Sequence, residues 1–162
     1  MLKVIWAPWR VAFITGAREE GCIFCSKPLQ NRDELNHIYQ RRGKVFGMLN
    51  RFPYNSGHLL IAPYRHVHRI QDLTPEEWAE IHELANDSIF ALDSTMKPHG
   101  YNIGFNVGIG SGAGFEHIHM HIVPRWSGDT NFMPVLADTK VIPEHLEETF
   151  KKIAEYFRNQ RR

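Results

Sequence analysis

The chain has 162 residues, 43% hydrophobic and 23% charged, the balance of a folded globular protein about one domain long rather than a disordered or fibrous one. Nineteen Lys and Arg against eighteen Asp and Glu give a net charge of +1, which offers no electrostatic case for a nucleic-acid or membrane-surface partner. No apolar run approaches the about 18 residues of a spanning helix. The opening MLKVIWAPWR has neither the apolar core nor the small-residue cleavage site of a signal peptide, so a cytoplasmic location is expected.

Residues 1–20 mix aromatics with a proline and end in a polar run. They read as an irregular arm or short hairpin packed on the body, with Trp6 and Trp9 buried there or at a subunit contact. Cys22 and Cys25 follow in C-I-F-C and are the only cysteines. Without a secretion signal, two cysteines three apart read as metal ligands, a redox pair or two small buried residues. Gly21 before them and Lys27-Pro28 after them give the segment the look of a turn. A tetrahedral zinc site would need two further ligands, which only histidines can supply here.

Residues 30–42 are polar and read as a loop or a frayed helix. Residues 44–50 (KVFGMLN) and 58–62 (HLLIA) are strand-like, and RFPYNSG between them marks a connection. A helix is predicted from Thr74: Thr74 as N-cap, Pro75 at the first position and Glu77 three after the cap make a capping box. Trp78, Ile81, Ala85, Ile89 and Leu92 give it one apolar stripe. Lys97-Pro98-His99-Gly100 ends it. Tyr101, Ile103, Phe105 and Val107 then alternate with Asn102, Gly104 and Asn106, as in a strand. HIHMHIV alternates again, with His117, His119 and His121 on one face and Ile118, Met120 and Ile122 on the other. The last helix, 143–162, starts at Pro143 and buries Leu146, Phe150, Ile153 and Phe157. With no repeat or internal boundary, residues 1–162 read as a single α+β domain with a mainly antiparallel sheet and two helices.

Ten histidines are many for this length, and a row of three after a glycine-rich loop, residues 108–114, narrows the chemistry. Such a loop exposes backbone N–H groups that can cradle a phosphate. The row suits a catalytic metal site or covalent catalysis. Neutral imidazole attacks phosphorus well near pH 7, and neighbouring imidazoles bind phosphoryl oxygens or pass a proton to the leaving group.

HIHMHIV resembles the H-φ-H-φ-H-φ-φ signature of the histidine-triad (HIT) superfamily of nucleotide hydrolases and transferases. MLNRFPYNSGHLLIAPYRH resembles that family's strand–turn–strand element, and the tail HIVPRWSGDTNFMPVLADTKVIPE most resembles the bacterial diadenosine tetraphosphate phosphorylase branch. The resemblance implies a HIT-like fold, a homodimer and cleavage of a nucleotide or dinucleoside polyphosphate at the α-phosphorus. His119 would be the nucleophile, forming a nucleotidyl-histidine that water or phosphate resolves. His121 would assist the leaving group, with His117 and His58 beside it. Asn50 would hold the ribose, and Asn106 would touch the phosphates or support the loop. It also implies a structural zinc on Cys22, Cys25, His66 and His117, with His68 a nearby competitor to His66. Many relatives carry Gly-Gln-Ser or Gly-Gln-Thr before the first histidine. Here the stretch is Gly112-Ala113-Gly114, leaving phosphate to the backbone N–H groups of Gly112 and Gly114, to Ser111, or to residues elsewhere. A metal-dependent hydrolase, a non-catalytic nucleotide-binding module and a phosphoramidate hydrolase of the same superfamily are the alternatives.

Overall fold

A computed structural model describes residues 21–111, 114–130 and 141–160. Among them five strands form one antiparallel sheet: β1 (Ile38–Arg41), β2 (Val45–Leu49), β3 (Leu59–Pro63), β4 (Gly100–Phe105) and β5 (Met120–Arg125), in the order β1-β2-β3-β5-β4. Two long helices, α3 (Pro75–Thr95) and α4 (Leu146–Gln160), accompany two short ones, α1 (Ile23–Leu29) and α2 (Asp33–Asn36). The α+β class with a mainly antiparallel sheet is as the sequence predicts.

Side-chain alternation divides the sheet into two unlike faces. Val45, Leu49, Leu59, Ile61 and Ile122 point to one face, where Ile81, Leu84 and Leu92 of α3 and Ile153 and Phe157 of α4 cover them. Phe46, Met48, Leu60 and Ala62 point to the other, against Phe24 of α1. His121 lies opposite Leu60 on one side and Gly104 on the other, so it belongs to this second face. With the long helices on the first face, the second is left for the imidazoles.

α3 begins as predicted. The Thr74 hydroxyl accepts from the Glu77 N–H at 3.2 Å, and the Glu77 carboxylate accepts from the Thr74 N–H at 2.8 Å. Ile81, Ala85 and Leu92 of the stripe are buried, joined by Leu84, Ser88 and Ala91. Trp78 is instead 38% exposed and meets Phe105 of β4 edge-on at 5.7 Å. α4 starts at Leu146 rather than Pro143.

Two segments differ from the sequence reading. The cysteine segment is a helix, not a turn. The Cys22 carbonyl accepts from the Cys25 and Ser26 N–H groups, and Lys27 and Pro28 lie inside α1, whose Phe24 is 1% exposed. Burial of that one aromatic outweighs the local turn signals. Residues 30–42, read as a loop or a frayed helix, hold the short helix α2 and also the strand β1. β1 has four residues, and an irregularity between Ile38 and Gln40 breaks its alternation. Opposite it, Gly47 leaves room for the Tyr39 ring, into which a Cβ would project, while the Tyr39 hydroxyl meets Ser88 of α3 at 2.8 Å. The proposed arm, residues 1–20, lies outside the described residues, as does Gly112.

Candidate active site

The β3–β5 ladder ends at the Ile61–Met120 pair, so only His121 of the three histidines lies in the strand. His117 and His119 precede it. Beyond that pair the β3 carbonyl of Pro63 takes the His117 ring, Nε2 at 3.0 Å, in place of backbone. The Ile118 N–H donates instead to the Val67 carbonyl at 2.7 Å. The imidazoles still gather: ring centroids are 4.7 Å apart for His119 and His121 and 5.1 Å for His58 and His121. All four histidines are buried, His58 and His117 to 1% exposure.

Hydrogen bonds fix where each proton sits, because a carbonyl only accepts and a backbone N–H only donates. His119 Nδ1 lies 2.7 Å from the His117 carbonyl and donates to it, which leaves the lone pair on Nε2. His58 Nδ1 accepts from the Tyr54 N–H at 3.1 Å, with the Asn50 side-chain amide at 3.2 Å. His58 Nε2 therefore carries the proton and donates to His121 Nδ1 at 2.9 Å. That places the His121 proton on Nε2, which is buried and has no hydrogen-bond partner among the described residues. The chain of tautomers thus presents one basic nitrogen, His119 Nε2, and one unpartnered donor, His121 Nε2–H.

Burial holds these rings neutral. Desolvation, then the neighbouring imidazoles, pushes His58 down to about 3 and His121 to about 4. Desolvation also lowers His119, against the His117 carbonyl that raises it. A cleft of about 250 Å³ opens beside His121, lined also by Tyr54, Gly104 and Asn106. It adjoins a second of about 300 Å³ between Tyr54, Asn55, Asn102 and Arg125. The Asn50 amide oxygen accepts from the Phe52 N–H at 2.9 Å and so shapes the connection after β2.

Cys22, Cys25, His66 and His117 form a second cluster, with one ligand atom from each, all within 4.8 Å of one another. Cys22 Sγ is 3.3 Å and Cys25 Sγ 3.6 Å from His117 Nδ1, and Cys25 Sγ is 3.1 Å from His66 Nδ1. Bonds of about 2.3 Å to sulfur and 2.0–2.1 Å to nitrogen around a tetrahedral zinc imply ligand separations of about 3.3–3.8 Å, so the donor set fits such an ion. The Pro63 carbonyl holds the His117 proton on Nε2 and frees Nδ1 for the cluster. His68 is not among the four donors; its ring lies 4.6 Å from that of His66 and faces Glu116 at 4.0 Å.

The structure thus brings His119, His121, His58 and Asn50 into one group, with Asn106 lining the cleft beside His121. Gly114 is exposed, and the Ser111 hydroxyl donates to the Gly108 carbonyl at 2.7 Å. Sequence reasoning missed Tyr54, whose ring stacks on His121 at 5.8 Å and 9°. It also missed Phe24, whose ring stacks on His119 at 4.5 Å and 28°. Both sit in segments read as connections, and an aromatic in each was the available signal.

Comparison with known proteins gives a consistent result. The model of the HIT domain family matches residues 32–128. An AP-4-A phosphorylase of Mycobacterium tuberculosis is 36% identical over 94% of this chain and 83% of its own length. An asymmetrical bis(5'-nucleosyl)-tetraphosphatase of Schizosaccharomyces pombe is 29% identical over 58% of this chain and 52% of its own. Among solved structures, a Zn-bound histidine triad family protein from Mycobacterium smegmatis superposes with a TM-score of 0.70 at 22% identity, covering 87% of this chain and 96% of that one.

Proposed function

The chain belongs to the HIT domain family, and from that premise we propose that it is an enzyme cleaving dinucleoside polyphosphates of the diadenosine tetraphosphate kind through a nucleotidyl-histidine. The observation that carries this reading is the tautomer of His119: Nδ1–H is committed to the His117 carbonyl, so a neutral ring offers Nε2 as nucleophile. Nε2 attacks the α-phosphorus; the N–P bond forms as the bond to the bridging oxygen of the leaving polyphosphate breaks. His121 Nε2–H, buried and unpartnered, donates to an oxygen of the phosphate or of the leaving group as charge builds there. His58 holds the His121 ring, and Asn50 holds His58 and takes the ribose. Asn106, with the loop backbone at Gly112 and Gly114, receives the phosphates. Phosphate or water then attacks the intermediate and frees His119. The relative named for phosphorolysis favours phosphate as the acceptor.

Cys22, Cys25, His66 and His117 would hold one zinc. Four protein ligands make a structural site, which when filled ties the start of α1 to the segment before β5. The reading takes residues 1–162 as one HIT-like unit, cytoplasmic, without nucleic-acid or membrane partners. No helix among the described residues is long and apolar enough to cross a membrane. It also takes the protein as a homodimer joined through the edge strand β4 and α3, where Ile103 and Trp78 are exposed.

Incubation with dinucleoside polyphosphates, with and without phosphate, tests the function. Diadenosine tetraphosphate is expected to give ADP and ATP with phosphate, and AMP and ATP with water as acceptor. Nucleotide binding without turnover of any member of the panel would overturn the reading.

A further inference from the structure

Cys22 and Cys25 bracket Phe24 at the start of α1, and the helix aims that ring away from solvent. The Phe24 ring lies 4.5 Å from the His119 ring at 28°, a stacked contact, and 5.3 Å from His117. The Phe115 ring meets Phe24 in a T-shaped contact at 5.8 Å and 85°. The second restraint on His119 is the His117 carbonyl at Nδ1. Both are therefore tied to the cysteine–histidine cluster: Phe24 lies in sequence between its two cysteines, and His117 supplies one of its imidazoles. A single hydrogen bond sets the direction of Nδ1 but leaves the ring free to tilt about that bond. A flat partner on the ring face removes that tilt, and with it the swing of Nε2. Packing alone would ask only for an apolar side chain of this volume beside Met48 and Leu60; it would not ask for a ring laid on the imidazole.

We infer that Phe24 is a positioning residue for His119, and that closing the Cys22/Cys25/His66/His117 cluster around a metal ion is what sets Phe24 against the nucleophile. The metal then acts on the chemistry through α1, without touching substrate. This rests on His119 being the nucleophile. Misplacing an attacking atom by about 1 Å costs about 10²-fold in rate, so a loosened His119 loses rate while the nucleotide still binds.

Two measurements test this. In Phe24→Leu, the site stays apolar with most of its volume filled, and the ring face is lost. Metal content and nucleotide affinity are expected to stay within about twofold, while single-turnover formation of the nucleotidyl-enzyme slows by about 10- to 100-fold. The second uses the native chain. The NMR signals of the His119 ring protons, assigned by their disappearance in His119→Ala, should be shifted upfield by the stacked ring when metal is bound. They should move back towards ordinary positions when the metal is chelated, as they do in Phe24→Leu. His119 signals unmoved by chelation, or a native single-turnover rate in metal-loaded Phe24→Leu, would overturn the inference. Native turnover in His119→Ala would instead overturn the assignment of the nucleophile itself.

Discussion

At the scale of single residues, the site works by keeping imidazoles neutral and dividing tasks between them through proton position. No carboxylate figures among the groups that shift His58, His119 or His121, so burial is opposed only by one backbone carbonyl. On the proposed mechanism, His119→Ala removes the atom that would carry the nucleotide, and turnover is expected to fall at least about 10³-fold with binding retained. On the same proposal His121→Ala removes a donor rather than the nucleophile and should cost roughly 10²-fold; rapid-quench assays of both variants separate the roles. Stability should carry the same signature. His58 titrates near 3 and His121 near 4 in the folded chain, against about 6.5 unfolded. Below pH 6.5 the unfolded chain takes up protons that the folded chain refuses, so stability is full above about pH 6.5 and is lost as pH falls towards 4. Thermal unfolding from pH 7 to 5 should show a falling midpoint. A shallower fall is expected in His58→Asn, and equal slopes would contradict the account.

The elements differ in how openly the sequence declares them, and packing explains the difference. β2, β3 and α3 stand out because each is written in local chemistry: apolar runs between turn residues for the strands, a capping box and an apolar period for the helix. β1 and α1 depend on partners far along the chain. Tyr39 finds its place only because Gly47 across the ladder lacks a side chain. Gly47→Ala is therefore expected to cost about 2 kcal/mol or more by overpacking, measured by denaturant unfolding, although a strand interior ordinarily prefers alanine. α1 is short, holds a proline and declares itself only through Phe24 and the cysteines. Its position makes Cys22→Ser informative: if the cluster holds zinc as proposed, the variant should lose that metal and unfold at lower temperature, read by metal analysis and calorimetry. The histidine row was legible as a pattern, but not the break in it. Nothing local says that His117 leaves the ladder to join two thiols while His121 stays; that follows from where β3 stops.

For the whole molecule, the sheet order leaves β4 at an edge among the described residues, with Ile103 half in solvent, and an apolar edge of that kind invites pairing with a second copy. Light scattering at micromolar concentration should report a dimer, and Ile103→Lys a monomer; a monomeric native protein would contradict the pairing. The same order has a consequence for how the protein is made. β5 is the last strand in sequence among the described residues, yet lies between β3 and β4, both synthesised earlier. A ribosome releases β1, β2 and β3 as a finished meander, then α3 and β4, with nothing yet to join β4 to β3. Only when the chain reaches Arg125 can β5 slot in, and the same short stretch delivers His117, His119 and His121. The sheet and the histidine row are completed by one late event, so a nascent chain stalled before it lacks the proposed nucleophile and carries an unpaired strand edge, the condition in which chains aggregate or recruit chaperones.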